Sequence, residues 1–212
     1  MKIKDFTDEK FNVNPVFADF AEKLLRYSEN AHQNRYGNEN YRIHYEYCYF
    51  YFFLTIQEKL TDHELKQILT VLLTHDVIED TNITLSEIVE SIPFDTNSFD
   101  ALKALTKPSD MPDVLAKPYS YAAIAKNETA HLIKIIDRIA NVSYAIENGI
   151  ESKFFKYYHD YIFNEFLIGD DVDDFNFYAM HIVQIQSLLK NLFKTGAGKF
   201  RNSDFAQRDD YF

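Results

Sequence analysis

The chain has 212 residues, 46% of them apolar and 16% aromatic, and a formal charge of −11 at neutral pH. That apolar mass supports one packed core and excludes a chain too polar to fold. The acidic balance argues against duplex nucleic acid as a partner, because phosphate contacts need a basic surface; a small anionic ligand can bind only in a locally basic pocket.

Five Gly and five Pro favour long helices over many short strands. No apolar run approaches the roughly 18 residues that span a bilayer. The opening "MKIKDFTDEKF" lacks the apolar centre of a signal peptide. Cys48 is the single cysteine, which excludes a disulfide framework or thiolate cluster and reads as a small core residue. The expectation is a cytoplasmic protein in a reducing compartment, with no membrane partner.

In chain order, Asn14-Pro15 predicts a helix start, with Asn as the cap and Pro in the first turn. Phe17, Phe20, Ala21, Leu24 and Leu25 follow at helical spacing. "AHQNRYGNENY" predicts a loop. A second helix starts around Tyr41 to His44 and carries "YEYCYFYFFL". A third spans about Asp62 to Val77, with Leu65, Ile68, Leu69, Leu72 and Leu73 inward. "TLSE" at 84–87 has the capping-box form and opens a short fourth. "NSFDALKAL" predicts another, and "PSDMPDVLAKP", fenced by Pro108, Pro112 and Pro118, predicts a loop. "NETAHLIKIIDRIANVSYAIENG" is the clearest helix, capped by Asn127 and stopped at Gly149. Two more are predicted at about 151–167 and 174–193, separated by "GDDVDD". The expected fold is all-α: a single helical bundle over 1–194, then a polar tail over 195–212.

Four residues sit where apolar helices seldom tolerate them. His44 lies among aromatics, His75 and Asp76 follow "ILTVLLT", and Asp137 lies between "LIKII" and "RIANV". Each has an ordinary explanation, such as a hydrogen-bonded core histidine or an ion pair of Asp137 with Lys134 or Arg138. Together, two His and two Asp can converge on one divalent ion, and imidazole plus carboxylate suits Mn, Fe or Zn better than Ca. His75 and Asp76 point about 100° apart on an ideal helix. They can therefore share an ion only near a helix end, which "EDT" at 79–81 is expected to supply.

His44, then the His75-Asp76 pair, then Asp137 resembles the pattern of the HD phosphohydrolase superfamily. "AHQNRYGNENYRIHY", "LLTHDVIEDT", "ALTK" and "LIKIIDRIAN" resemble, in order, the hydrolase motifs of the RelA/SpoT family across residues 31–141. The resemblance implies a helical HD domain. His44, His75, Asp76 and Asp137 would hold Mn²⁺, with other divalent ions admissible, while Glu79 and Asp80 would orient and activate the attacking water. It also implies that Arg35, Tyr41 and Asn141, with Lys134 and Arg138, contact a small phosphorylated nucleotide. The length leaves no room for the family's alarmone synthetase domain, so the likeness is to a stand-alone small alarmone hydrolase, similar to the metazoan SpoT homologues. Such an enzyme removes the 3′-pyrophosphate of guanosine tetra- or pentaphosphate.

The nucleotide-facing positions depart from the family pattern. Tyr36 stands for a Lys, Tyr45 for a Pro, "NEN" for "GEP", and Ala140 for a His. Two alternatives therefore stay open: an HD phosphohydrolase acting on a nucleoside monophosphate or NADPH, and a non-catalytic, metal-stabilised binding module. "KTGAGK" near 194 lacks the first Gly and the Ser/Thr of a phosphate loop, and "DDVDDFN" lacks the EF-hand Gly and closing Glu.

Overall fold

The computed structural model describes residues 15–33, 35–37, 39–56, 60–108, 110–161 and 179–201. Among these residues the chain is all-α, apart from one small hairpin. The elements are α1 (Pro15–Ala31), β1 (Arg35–Tyr36), β2 (Glu39–Asn40), α2 (Arg42–Thr55), α3 (Asp62–Leu72), α4 (Val77–Asp80), α5 (Leu85–Ser91), α6 (Thr96–Leu105), α7 (Asp113–Ile124), α8 (Glu128–Asn148), α9 (Glu151–Asp160) and α10 (Ala179–Lys199). The proposed cap Asn14 and the "GDDVDD" loop lie outside the described residues, as do residues 202–212 of the tail.

Helix α8 is the axis of the bundle, packed against α2, α3, α6, α7, α9 and α10. Every residue from Ala130 to Ala145 is buried except Lys134, which is half-buried. A helix buried on nearly all sides belongs at the centre of a fold, and this one takes His131, Asp137, Arg138, Asn141 and Ser143 inside with its apolar residues. Its ends are set locally: the Asn127 side chain accepts from the Ala130 amide at 2.9 Å, and Gly149 closes the helix at φ 67°. Leu132, Ile133, Ile136 and Ile139 are fully buried, at about 1.5–3 kcal/mol each. That stabilisation lets the same helix carry Asp137 into the interior.

The third helix stops at Leu72, short of the predicted end at Val77, and a turn over residues 73–76 leads into α4. Side chains take the carbonyls that continued helix would have used. Thr74 Oγ1 donates to Thr70 O at 2.6 Å, Ser28 Oγ from α1 to Leu73 O at 2.5 Å, and His75 Nδ1 lies 2.8 Å from Leu72 O. The predicted helix end at 79–81 is thus the end of the short α4, and the decisive break falls just before His75. The start of α3 is a capping box of Thr61 and Glu64, and that of α5 is the predicted box of Thr84 and Glu87.

Three other expectations change. The predicted loop after Pro112 is largely helix α7, with Pro118 inside it on the exposed side. Ala116, Ser120 and Ile124 are buried at four-residue intervals along it. The loop around Gly37 contains the β1–β2 hairpin, in antiparallel register Arg35↔Asn40 and Tyr36↔Glu39. Gly37 is required there: φ is 61°, and a Cβ would lie 2.6 Å from the Tyr144 hydroxyl. The last helix continues to Lys199, so residues 195–199 are helical and not tail. Phe200 is buried against Phe154, and a Cβ at Gly196 would collide with the Phe154 ring.

Candidate metal centre

Three segments meet at one buried point. Helix α2 delivers His44, the turn after α3 delivers His75 and Asp76, and α8 delivers Asp137. His44 Nε2 lies 3.2 Å from Asp76 Oδ2 and 3.4 Å from Asp137 Oδ1. His75 Nε2 lies 3.3 Å from Asp76 Oδ1 and 3.7 Å from the same Asp137 oxygen. His44, His75 and Asp137 are 1%, 4% and 5% exposed. All four predicted ligands converge, and the α3 break makes it happen: without it His75 and Asp76 would diverge.

The donor set fits a divalent cation. His75 Nδ1 faces the Leu72 carbonyl at 2.8 Å, which places its proton there and turns the Nε2 lone pair into the cluster. That Nε2 is buried and makes no hydrogen bond. Contacts of 3.2–3.7 Å between nitrogens and carboxylates are too long for strong ion pairs, yet right for atoms sharing an ion. Burial pulls the His75 imidazole down, but the Asp76 and Asp137 carboxylates outweigh it and hold it up at about 9. Burial raises Asp76, but the two imidazoles hold it below the usual range. Asp137 is likewise raised by burial and held well below by Lys134 and those imidazoles.

A second layer fixes these ligands. Asn141 Nδ2 donates to Asp137 Oδ1 at 2.5 Å and to its backbone carbonyl at 3.0 Å. Its Oδ1 accepts from the Tyr36 and Tyr157 hydroxyls at 2.5 and 2.7 Å. All the donor and acceptor positions of the amide are used in this arrangement, and Asn141 positions Asp137. Lys134 Nζ lies 3.3 Å from Asp137 Oδ2. The Tyr41 hydroxyl reaches both Asp76 Oδ2, at 2.9 Å, and Asp80 Oδ2. It has one proton to share, and burial pushes its pKa up, so it remains a donor.

Over this floor opens a cavity of about 430 Å³, lined by Asp76, Asp137, Glu79 and Asp80 together with Tyr36, Tyr41 and Tyr157. Glu79 Oε1 accepts from the Lys107 amide at 2.8 Å, and burial raises its pKa. Six cationic side chains line the same cavity: Lys107, Lys117, Lys134, Arg138, Lys153 and Lys156. Five carboxylates, those of Asp76, Glu79, Asp80, Asp137 and Asp160, line it as well, and Asp160 Oδ1 lies 3.1 Å from Lys117 Nζ, so the cations offset the acidic groups locally in a chain that is acidic overall. No family model, curated protein or solved structure matches this chain.

Of the expected substrate contacts, Tyr41, Lys134, Arg138 and Asn141 all line the cavity, whereas the Arg35 side chain lies outside the described residues. Arg138 is 3% exposed, with its guanidinium 4.4 Å from the centre of the Tyr157 ring. Sequence reasoning missed Lys117, Lys153, Lys156 and Tyr157. On α9, positions 153, 156 and 157 share a face at i, i+3 and i+4, a spacing visible in "ESKFFKYYHD". Cys48 is buried in the core as expected, and, one turn after His44, its Sγ also lies 3.7 Å from His44 Nε2.

Proposed function

We propose that this protein is a metal-dependent phosphohydrolase of the HD type acting on a small, multiply phosphorylated nucleotide. The leading substrate is guanosine tetra- or pentaphosphate, with release of its 3′-pyrophosphate. The observation that carries the reading is the pairing of a buried His/Asp cluster with Glu79, Asp80 and six cationic side chains in the lining of one cavity. A purely structural ion needs neither the flanking carboxylates nor those cations.

His44, His75, Asp76 and Asp137 would hold the ion, proposed as Mn²⁺ from the resemblance to the RelA/SpoT hydrolases, since imidazole and carboxylate donors by themselves suit Mn, Fe or Zn. When bound, a divalent cation activates water and offsets phosphoryl charge. Glu79, its pKa raised by desolvation and its Oε1 accepting from the Lys107 amide, would take a proton from the attacking water. Asp80 is held by Tyr41, which ties it to Asp76. Lys107 and Lys156 would present their charges to the phosphates, and Lys117, whose Nζ lies 3.1 Å from Asp160 Oδ1, would share its charge with that carboxylate.

Tyr36, the departure that most weakens an alarmone reading, is balanced from another helix. Lys153 Nζ lies 3.3 Å from the centre of the Tyr36 ring and returns a cation to that corner. Burial lowers its pKa to about 8, so it stays mostly charged near neutrality. The test is a panel of guanosine tetraphosphate, nucleoside monophosphates and NADPH with Mn²⁺, reading pyrophosphate against phosphate release. Pyrophosphate from the tetraphosphate supports the alarmone. Phosphate from a simpler nucleotide moves the assignment to another HD phosphohydrolase, and no turnover of any member leaves a binding module.

A further inference from the structure

We propose that Cys48 is an alternative ligand of the metal centre, so that the centre offers two seats for an ion. This rests on reading the cluster as metal-binding. His44, His75 and Asp137 are common to both seats. On the pocket side the fourth ligand is the carboxylate of Asp76; on the core side it is the Cys48 thiolate.

The geometry supports the second seat. One ligand atom each of His44, Cys48, His75 and Asp137 lies within 4.8 Å of all the others. Metal–sulfur and metal–nitrogen bonds of about 2.3 and 2.1 Å give a tetrahedral S···N edge of about 3.6 Å. The Cys48 Sγ to His44 Nε2 distance is 3.7 Å. The thiol does not stand alone: His75 Nε2, in a side chain 96% buried by its 4% exposure, aims into the same space without a hydrogen bond. Cys48 itself is 0% exposed.

The two seats differ in chemistry. Asp76 is partly exposed, bound by Tyr41, and faces the cavity. A hard ion such as Mn²⁺ prefers this carboxylate seat and keeps a position open to the pocket. A softer ion such as Co²⁺, Zn²⁺ or Cd²⁺ gains from the thiolate, with the thiol proton passing to solvent as the sulfur binds. Four protein donors then close a tetrahedron on the core side, and Asp76 is left to Tyr41. The centre therefore selects between an open and a closed form by the softness of the ion.

Loading the purified protein with Co²⁺ tests this, with metal content measured on the same samples. The expected result is a thiolate-to-cobalt charge-transfer band in the near ultraviolet, absent from Cys48→Ser and Cys48→Ala while both still take up Co²⁺. Competition between Cd²⁺ and Mn²⁺ should shift towards Mn²⁺ by roughly 10–100-fold in the same variants, the scale on which altered metal sites lose affinity. Bound Co²⁺ without the band in wild type would overturn the thiolate seat and leave the His/Asp centre standing. No uptake of Co²⁺ or Mn²⁺ would overturn both. The wild-type spectrum decides the matter even where a variant fails to fold.

Discussion

The floor and the rim of the cavity are built on opposite principles. The floor is His44, His75, Asp76, Asp137 and Asn141, mostly buried, closely hydrogen-bonded and drawn from α2, α8 and one turn. The rim is long cations on the edge of α6 and on α7 and α9, such as Lys107, Lys117 and Lys156. Substitutions in the floor should act on metal, fold and chemistry together, because each removes a group its neighbours need. Substitutions in the rim should act on substrate binding alone, and weakly, because exposed charges are solvated and flexible.

The largest expected effect is at the boundary between them. Glu79→Gln should reduce turnover by roughly 10² or more, with metal content and melting temperature retained; a steady-state assay with parallel metal analysis checks this. Near-normal rates would assign Glu79 to the rim. Asn141→Ala comes next. It strips Asp137 of its amide and leaves the Tyr36 and Tyr157 hydroxyls unpaired, so Mn²⁺ affinity should fall roughly 10–100-fold and stability by about 1–3 kcal/mol. Metal titration and thermal melting measure the two losses.

Protons compete for the same floor. His75 is raised to about 9 in the absence of metal, so below that pH it carries a proton that metal must displace. Mn²⁺ affinity should therefore weaken as pH falls below 9, by about tenfold per unit. Asp76 and Asp137, held low, add nothing until the solution is strongly acidic. Calorimetric titrations across pH 6–9 in buffers of different ionisation heat give both slope and proton count. The smallest effect belongs to the rim: Lys156→Ala should raise KM a few-fold, leave kcat unchanged, and lose its influence at high salt. An equal fall in kcat would show that the rim does more than attract substrate.

Legibility followed the same division. His44, His75, Asp76 and Asp137 stand out in the sequence because a His or Asp inside an apolar helix needs an explanation. Lysines on an outer helix do not, since Lys153 and Lys156 resemble any solvated face until α9 is placed beside α7. The break before His75 depends on Ser28, 45 residues away, capturing the Leu73 carbonyl, and no local pattern encodes that. Helix α7 was hidden by its prolines and by a buried stripe made partly of the small residues Ala116 and Ser120. Cys48 was legible: His44-x-x-x-Cys48 is one helical turn, and the spacing was there to read.

The central claim is that the His/Asp cluster holds a divalent cation, and metal content after loading with Mn²⁺ and removal of excess tests it most directly. The account predicts about one ion per chain in the wild type and almost none in Asp137→Ala, whose cluster loses the carboxylate that faces both histidines. An empty wild type, or an Asp137→Ala variant as fully loaded as the wild type, would contradict it.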